Sequence, residues 1–103
     1  MRSCITCGMP LEDNHAGDIG LQIPEGYVCK FDSVDGCVKD GRDIFLGGVS
    51  FFMTQATGGD RKLAERLARR NMGSLPYWQA HPFPELVGPV ATDEEFQVAM
   101  SKL

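Results

Sequence analysis

The sequence predicts a small α+β protein in which a zinc ribbon of short antiparallel strands precedes two or three helices. Two observations predict this fold class. All four cysteines lie within the first 37 residues, whereas apolar stripes with helical spacing begin only in the second half. We place a zinc-ribbon domain at residues 1–46 and a helical tail at 47–103, which includes an extended arm rich in Pro and aromatic residues at 74–90.

The first 43 residues are rich in Gly, Asp and Cys, and their apolar runs are short. This composition is typical of turns and small hairpins. A domain within a chain of 103 residues has a marginal apolar core, and small domains of this kind often depend on a bound metal. We therefore expect a metal ion to hold the ribbon together.

The helical tail has recognisable start and stop signals. Ser50 is a candidate N-cap for a short helix over residues 51–56, which Gly58 and the following glycine would end. Asp60 is a candidate N-cap for a helix over 61–72, with Gly73 just beyond its end. Thr92 opens a capping box for a last helix. The apolar stripe of that helix consists of Phe96, Ala99, Met100 and Leu103.

The four cysteines are the most informative residues of the chain. Cys4 and Cys7 are separated by two residues, so both thiolates can face one ion from a tight knuckle. Gly8 follows at a position that often needs positive φ. Together with Cys29 and Cys37 they complete four soft ligands, which suit one structural zinc ion in a tetrahedral site.

The spacing of the second pair is longer than that of a knuckle. Seven residues separate Cys29 from Cys37, and we expect Asp35 and Gly36 to close a turn that returns Cys37 to the ion. Three alternatives stay open: iron in place of zinc, a redox dithiol at Cys4 and Cys7, or thiols that bind nothing. His15 could also replace one cysteine, although a solvated loop histidine is the favoured interpretation.

Several segments carry a resemblance to a known family: residues 4–11 (CITCGMPL), 27–29 (YVC), 37–45 (CVKDGRDIF) and 67–78 (LARRNMGSLPYW). They are similar to those of a zinc-ribbon family of small bacterial and archaeal proteins that open with Cys-x-x-Cys-Gly-Met-Pro. The resemblance covers about residues 4–78. It implies a zinc ribbon with four cysteine ligands and no established biochemical role.

We expect a non-enzymatic protein, because no spacing indicates a nucleophile triad, a phosphate loop or paired catalytic carboxylates. The favoured function is a structural zinc-binding module that interacts with an unknown protein partner. The alternative is a nucleic-acid-associated regulator that uses the basic helix at 61–70, although the net charge of −4 argues against non-specific binding to phosphates. A thiol redox protein is a weaker alternative.

Two further interpretations concern surfaces. The basic residues of the 61–70 helix are expected to form a solvated face; they are Lys62, Arg66, Arg69 and Arg70. The arm is expected to wrap its own domain, burying Trp78 and Phe83, with His81 at its tip.

The expected location is cytoplasmic. No stretch approaches the roughly 18 apolar residues of a membrane span, and the residues before Cys4 leave no room for a signal peptide. Clustered thiols in a reducing compartment more often hold metal than form disulfides.

Overall fold

Short antiparallel hairpins form the N-terminal part of the molecule, as expected. The computed structural model describes residues 2–103. Two hairpins follow a 3-10 turn at Asp13–Asp18: β1 (Ile19–Ile23) with β2 (Gly26–Cys29), and β3 (Ser33–Val34) with β4 (Cys37–Val38).

The turn between β3 and β4 has the geometry that its sequence predicts. Asp35 and Gly36 both have positive φ, at 51° and 77°, which is typical of an Asp-Gly hairpin turn. The predicted turn is confirmed, although Cys37 lies exposed on β4 after this turn and not beside the other three cysteines.

Helices form the remainder of the chain. They are α1 (Gly41–Phe52), continued by a π-helical turn (Met53–Thr57), then α2 (Arg61–Gly73), α3 (Pro76–Ala80), a 3-10 turn (Pro84–Leu86) and α4 (Asp93–Met100). The predicted class, a small α+β protein with hairpins first and helices after, is confirmed.

The caps of α2 and α4 are those that the sequence predicts. Asp60 accepts a hydrogen bond on Oδ1 from the backbone N–H of Leu63 at 3.1 Å. At α4, Thr92 Oγ1 accepts from the N–H of Glu95 at 3.1 Å, and Glu95 Oε1 accepts from the N–H of Thr92 at 3.0 Å. Each bond satisfies a backbone donor that a helix start leaves open.

Helix α1 starts ten residues earlier than predicted, so Ser50 lies inside it and is not its N-cap. Burial explains why α1 forms. Four of its apolar residues are buried on one side of the helix: Ile44, Phe45, Val49 and Phe52. Gly47 and Gly48 lower the helix propensity of this segment, so its sequence did not predict a helix. Gly48 faces α2, where a Cβ would lie 3.8 Å from that of Ala68, so the two helices pack closely.

The prediction of a wholly extended arm at 74–90 is wrong, because this segment contains α3 and the 3-10 turn. Pro76 and Pro84 each stand at the start of a helical turn, where the missing N–H would have no partner and the fixed φ favours the helix. The predicted wrapping is confirmed. Trp78 is buried and Phe83 is partly buried against the core.

The apolar side chains form two clusters. The larger cluster joins α1, α2, α3 and α4 around Leu67 and Trp78, and the smaller one lies in the ribbon around Leu11 and Val28. Val38 packs against both clusters. Among the described residues, no helix is long and apolar enough to cross a membrane.

Candidate metal centre

The first half of the centre is the knuckle at Cys4 and Cys7. The backbone N–H of Gly8 donates to the carbonyl of Cys4 at 2.8 Å, and the N–H of Cys4 donates to the carbonyl of Met9 at 2.8 Å. Gly8 has φ of +82°, which a residue with a Cβ adopts only with strain. The predicted knuckle and its glycine are confirmed.

The knuckle lies beside the end of β2 because the two segments pair. Cys4 forms a parallel bridge with Tyr27, and the N–H of Ile5 donates to the carbonyl of Tyr27 at 3.0 Å. This pairing places Cys4 next to Cys29, whose N–H donates to Cys4 Sγ at 3.3 Å. A hydrogen bond from a backbone N–H stabilises the thiolate form of its acceptor.

The second half of the centre is a turn from Cys29 to Asp32, whose N–H donates to the carbonyl of Cys29 at 3.1 Å. The two residues have the same spacing as Cys4 and Cys7, with a carboxylate in place of the second thiol. One ligand atom from each of the four residues lies within 4.8 Å of all the others. These residues therefore form a group that could hold a metal ion.

The distances within the group suit a tetrahedral site. Zinc–sulfur bonds of about 2.3 Å place two sulfur ligands about 3.8 Å apart. The Sγ atoms of Cys7 and Cys29 are 3.8 Å apart, and Cys4 Sγ lies 3.7 Å from Asp32 Oδ2. These two pairs are the opposite edges of the expected tetrahedron.

The group is largely shielded from water. Cys4 and Cys29 are 1% and 0% exposed, Asp32 is 8% exposed, and Cys7 is partly exposed. A buried carboxylate is costly unless it is compensated. Burial accordingly raises the pKa of Asp32, and a hydrogen bond from the Thr6 hydroxyl acts in the opposite direction.

The three thiols differ in their readiness to ionise. Hydrogen bonds from Cys29 and Cys7 lower the pKa of Cys4 well below its ordinary value. The hydrogen bond to Cys4 raises the pKa of Cys29 to about 12, and the bond to Cys29 raises the pKa of Cys7. A metal ion would replace the thiol protons as the positive charge between the sulfurs, so binding would release protons and weaken at low pH.

The structure brings together three of the four predicted ligands, Cys4, Cys7 and Cys29. Cys37 is exposed on β4, opposite Val34, and lies outside the group. The β3–β4 hairpin begins at Ser33, directly after Asp32. It closes where the N–H of Lys39 donates to the carbonyl of Asp32 at 2.8 Å. A ligand role for Cys37 stays a prediction that this placement does not support.

Asp32 was missed because the second knuckle was expected to end in a thiol. The signal was present in the spacing from Cys29, which leaves two residues between potential ligands. His15 is also outside the group. It is exposed, and its Nδ1 lies 3.2 Å from Asp18 Oδ2, which confirms the interpretation of a solvated loop histidine.

Two side chains of the helical part bind the backbone of the knuckle. Asn71 on α2 donates from Nδ2 to the carbonyl of Cys7 at 2.9 Å, and Trp78 on α3 donates from Nε1 to the carbonyl of Thr6 at 2.9 Å. The centre is therefore joined to the helical core through the carbonyls of its first knuckle.

The prediction of a solvated basic face on α2 is wrong for its three arginines. Arg66 binds both carboxylate oxygens of Glu95 at 2.8 and 3.0 Å, and Arg70 lies 2.6 Å from Asp93. Arg69 donates to the carbonyl of Glu85 at 3.0 Å. These side chains hold the C-terminal segment on α2.

No family model, no curated protein and no solved structure matches this chain. The resemblance to the zinc-ribbon family stays a prediction that depends on the motif residues alone.

Proposed function

We propose that this chain is a non-enzymatic structural zinc protein in which Cys4, Cys7, Cys29 and Asp32 hold one ion. The single observation that supports the proposal is the mutual approach of four potential ligand atoms within 4.8 Å. Four protein ligands complete a tetrahedral zinc shell and leave no position for a substrate, as in structural zinc sites.

The choice of zinc depends on the chemistry of the ligands. Thiolates and carboxylates both bind zinc, at about 2.3 Å and 2.0–2.2 Å respectively. Three sulfurs with one oxygen form a softer set than the all-oxygen shells that suit magnesium or calcium. Rubredoxin-type iron is held by four thiolates, and the presence of Asp32 in the group makes that match weaker. We further propose a reducing, cytoplasmic location, in which the thiols stay available to the metal.

The role that we propose for the metal is to hold the ribbon as an interaction surface for a protein partner. The turn between Cys29 and Asp32 presents Phe31, which is 59% exposed, and Val34 on the next hairpin is 51% exposed. Apolar side chains of this kind can anchor a partner once their loop is rigid, because less conformational entropy is then lost on binding.

Neither alternative has a supporting observation of its own in the described part of the chain. A regulator that binds nucleic acid through α2 would need free cationic side chains. Three of the basic residues of this helix, Arg66, Arg69 and Arg70, already bind the C-terminal segment. The thiol redox protein stays an untested prediction.

Elemental analysis of the purified chain tests the metal. We expect one zinc per chain, lost in Cys29→Ser and retained in the matched variant Cys37→Ser, because only the first thiol belongs to the group. Absence of stoichiometric metal from the wild-type chain would refute the proposal. Loss of zinc in Cys37→Ser would indicate instead that Cys37 is a ligand, as in the predicted set of four cysteines.

Cross-linking in extracts of the native cell tests the interaction surface. We expect a partner that is recovered with the metal-loaded chain and lost after chelation or in Phe31→Ser. The matched control is Val87→Ser, which changes a side chain that is 82% exposed in the loop before α4. Equal recovery of the partner after chelation and with the Phe31→Ser variant would contradict this part of the proposal.

A further inference from the structure

Thr6 is a buried polar residue in the middle of the metal centre. It is 0% exposed, and its hydroxyl oxygen lies 2.7 Å from Asp32 Oδ2 and 2.9 Å from Cys4 Sγ. Its side chain therefore contacts the oxygen ligand and one sulfur ligand of the proposed ion at once.

The hydroxyl has one proton to donate. A carboxylate oxygen is a strong acceptor, and a bond to it is short and charge-assisted. The contact with Asp32 is the shorter of the two, so the O–H donates to the carboxylate. This bond fixes the rotation of the carboxylate, as hydrogen bonds around metal ligands commonly do.

The backbone of Thr6 is fixed as well. Its carbonyl accepts from Trp78 Nε1 at 2.9 Å, and the next carbonyl along, that of Cys7, accepts from Asn71 Nδ2 at 2.9 Å. Because Trp78 belongs to the helical core, the hydroxyl is held at a set position relative to both ligand-bearing segments.

We propose that Thr6 is a positioning residue that determines which metal this centre prefers, an inference that rests on the proposed ligand role of Asp32. By holding the carboxylate in place, Thr6 favours ions that accept one oxygen among three sulfurs, such as Zn²⁺ and Co²⁺. A softer ion of the same charge, Cd²⁺, draws most of its affinity from the thiolates and needs the oxygen less.

The experiment compares Thr6→Val, which keeps the shape and removes the hydroxyl, with Thr6→Ser, which keeps the hydroxyl. Affinities for Zn²⁺ and Cd²⁺ are measured by competition with a chromophoric chelator, and the visible spectrum of the Co²⁺-loaded chain reports its ligands. We expect Thr6→Val to lower Zn²⁺ affinity roughly 10- to 100-fold and Cd²⁺ affinity by less than about threefold. The serine variant should restore the wild-type ratio.

A residue that only packs would behave differently. If Thr6→Val lowers both affinities equally, or changes neither the ratio nor the Co²⁺ spectrum, the inference is overturned. Thr6→Ala should show the same altered ratio, and it replaces the valine variant if circular dichroism of the Cd²⁺-loaded chain shows that the latter does not fold.

The proposed function fails separately. A wild-type chain that binds none of the three ions would refute the metal site itself. Asp32→Asn should reproduce the ratio of Thr6→Val. An unchanged ratio in Asp32→Asn overturns the inference, since Thr6 then has no oxygen ligand to position.

Discussion

At the scale of single residues, Gly20 is a point of close approach behind the Cys29–Asp32 turn of the candidate metal centre. It lies on β1, and a Cβ built there would lie 2.5 Å from Lys30 Cα and even closer to Ser33 Oγ. Lys30 lies within the Cys29–Asp32 turn and Ser33 follows it. Ser33 Oγ also donates to the carbonyl of Cys29 at 3.0 Å. The absence of a side chain at this position lets the turn lie on the hairpin.

We predict that Gly20→Ala displaces this turn, because backbone atoms cannot yield as a flexible side chain would. Overpacking of this kind costs about 1–3 kcal/mol, and the shift of Asp32 should also weaken zinc binding. The matched control is Gly17→Ala, where a Cβ would meet nothing within 4 Å. Urea unfolding and zinc competition measure both effects. Equal results for the two variants would contradict the prediction.

The residues of the centre show how far the sequence predicts a site. The Cys4 knuckle could be predicted because its spacing and Gly8 are local features. Which of Asp32 and Cys37 lies beside the three other cysteines could not be predicted, because this depends on where the hairpin from 33 to 38 points after the turn. That direction follows from tertiary packing around Gly20 and Thr6, which no local spacing reports.

At the scale of elements, α4 is held on α2 by the carboxylate of Glu95, which binds both the start of its own helix and Arg66. Glu95 completes the capping box with Thr92 and binds both terminal nitrogens of Arg66. The hydrogen bond from the Thr92 N–H and the Arg66 guanidinium lower the pKa of Glu95. The contact therefore links the start of α4 to the middle of α2.

We predict that this contact makes the docking of α4 sensitive to acid. A carboxyl whose pKa is lowered by folding adds stability above its unfolded pKa of about 4.3. That stability is lost as the pH falls through the lower, folded-state pKa. The free energy of unfolding should thus decline over this acid range in the wild type and less steeply in Glu95→Gln.

The control for this prediction is Glu94→Gln, which changes the exposed neighbour on α4. Urea unfolding across the acid range, followed by helical circular dichroism, compares the three chains. Parallel pH profiles for the wild type and Glu95→Gln would show that Glu95 does not stabilise the folded state in this way.

Elements with strong local signals were the ones that the sequence predicted well. Both α2 and α4 begin at side chains that cap them, and these caps are encoded within four residues. The start of α1 was missed because two glycines interrupt its pattern, and only packing against α2 compensates for their low propensity. Helix α3 could not be predicted, because a segment rich in Pro favours extended backbone, whereas Pro76 stands in the first turn of this helix.

At the scale of the whole molecule, we expect the two apolar clusters to depend unequally on the proposed metal ion. The helical cluster contains large buried side chains such as Phe45, Phe52 and Trp78, whereas the ribbon cluster buries Leu11 and Val28 with two of the proposed ligands. So small a core cannot offset the conformational entropy of ordering the ribbon. A structural zinc ion contributes about 10 kcal/mol or more of apparent binding free energy in comparable cases.

We predict that chelation, or Cys7→Ser, unfolds the ribbon and leaves much of the helical circular dichroism. Hydrogen exchange should show lost protection in residues 2–38 and retained protection in α1 and α2. Fluorescence of Trp78, the sole tryptophan, should change as well, because its bond to Thr6 is lost. Added zinc should reverse all three signals in the chelated wild type, and full protection in the metal-free ribbon would refute the prediction.

The two bonds from the helices to the knuckle also bear on the order of assembly. They join residues 64 and 72 positions apart in the chain, whereas the ligand pairs Cys7–Cys29 and Cys4–Asp32 are 22 and 28 apart. Shorter loops cost less entropy to close, and N-terminal segments leave the ribosome first. If the proposed ion binds, the ribbon can therefore take it up during synthesis, before the helices pack against the knuckle. In rapid mixing, Co²⁺ absorbance should then rise before Trp78 fluorescence reaches its folded value.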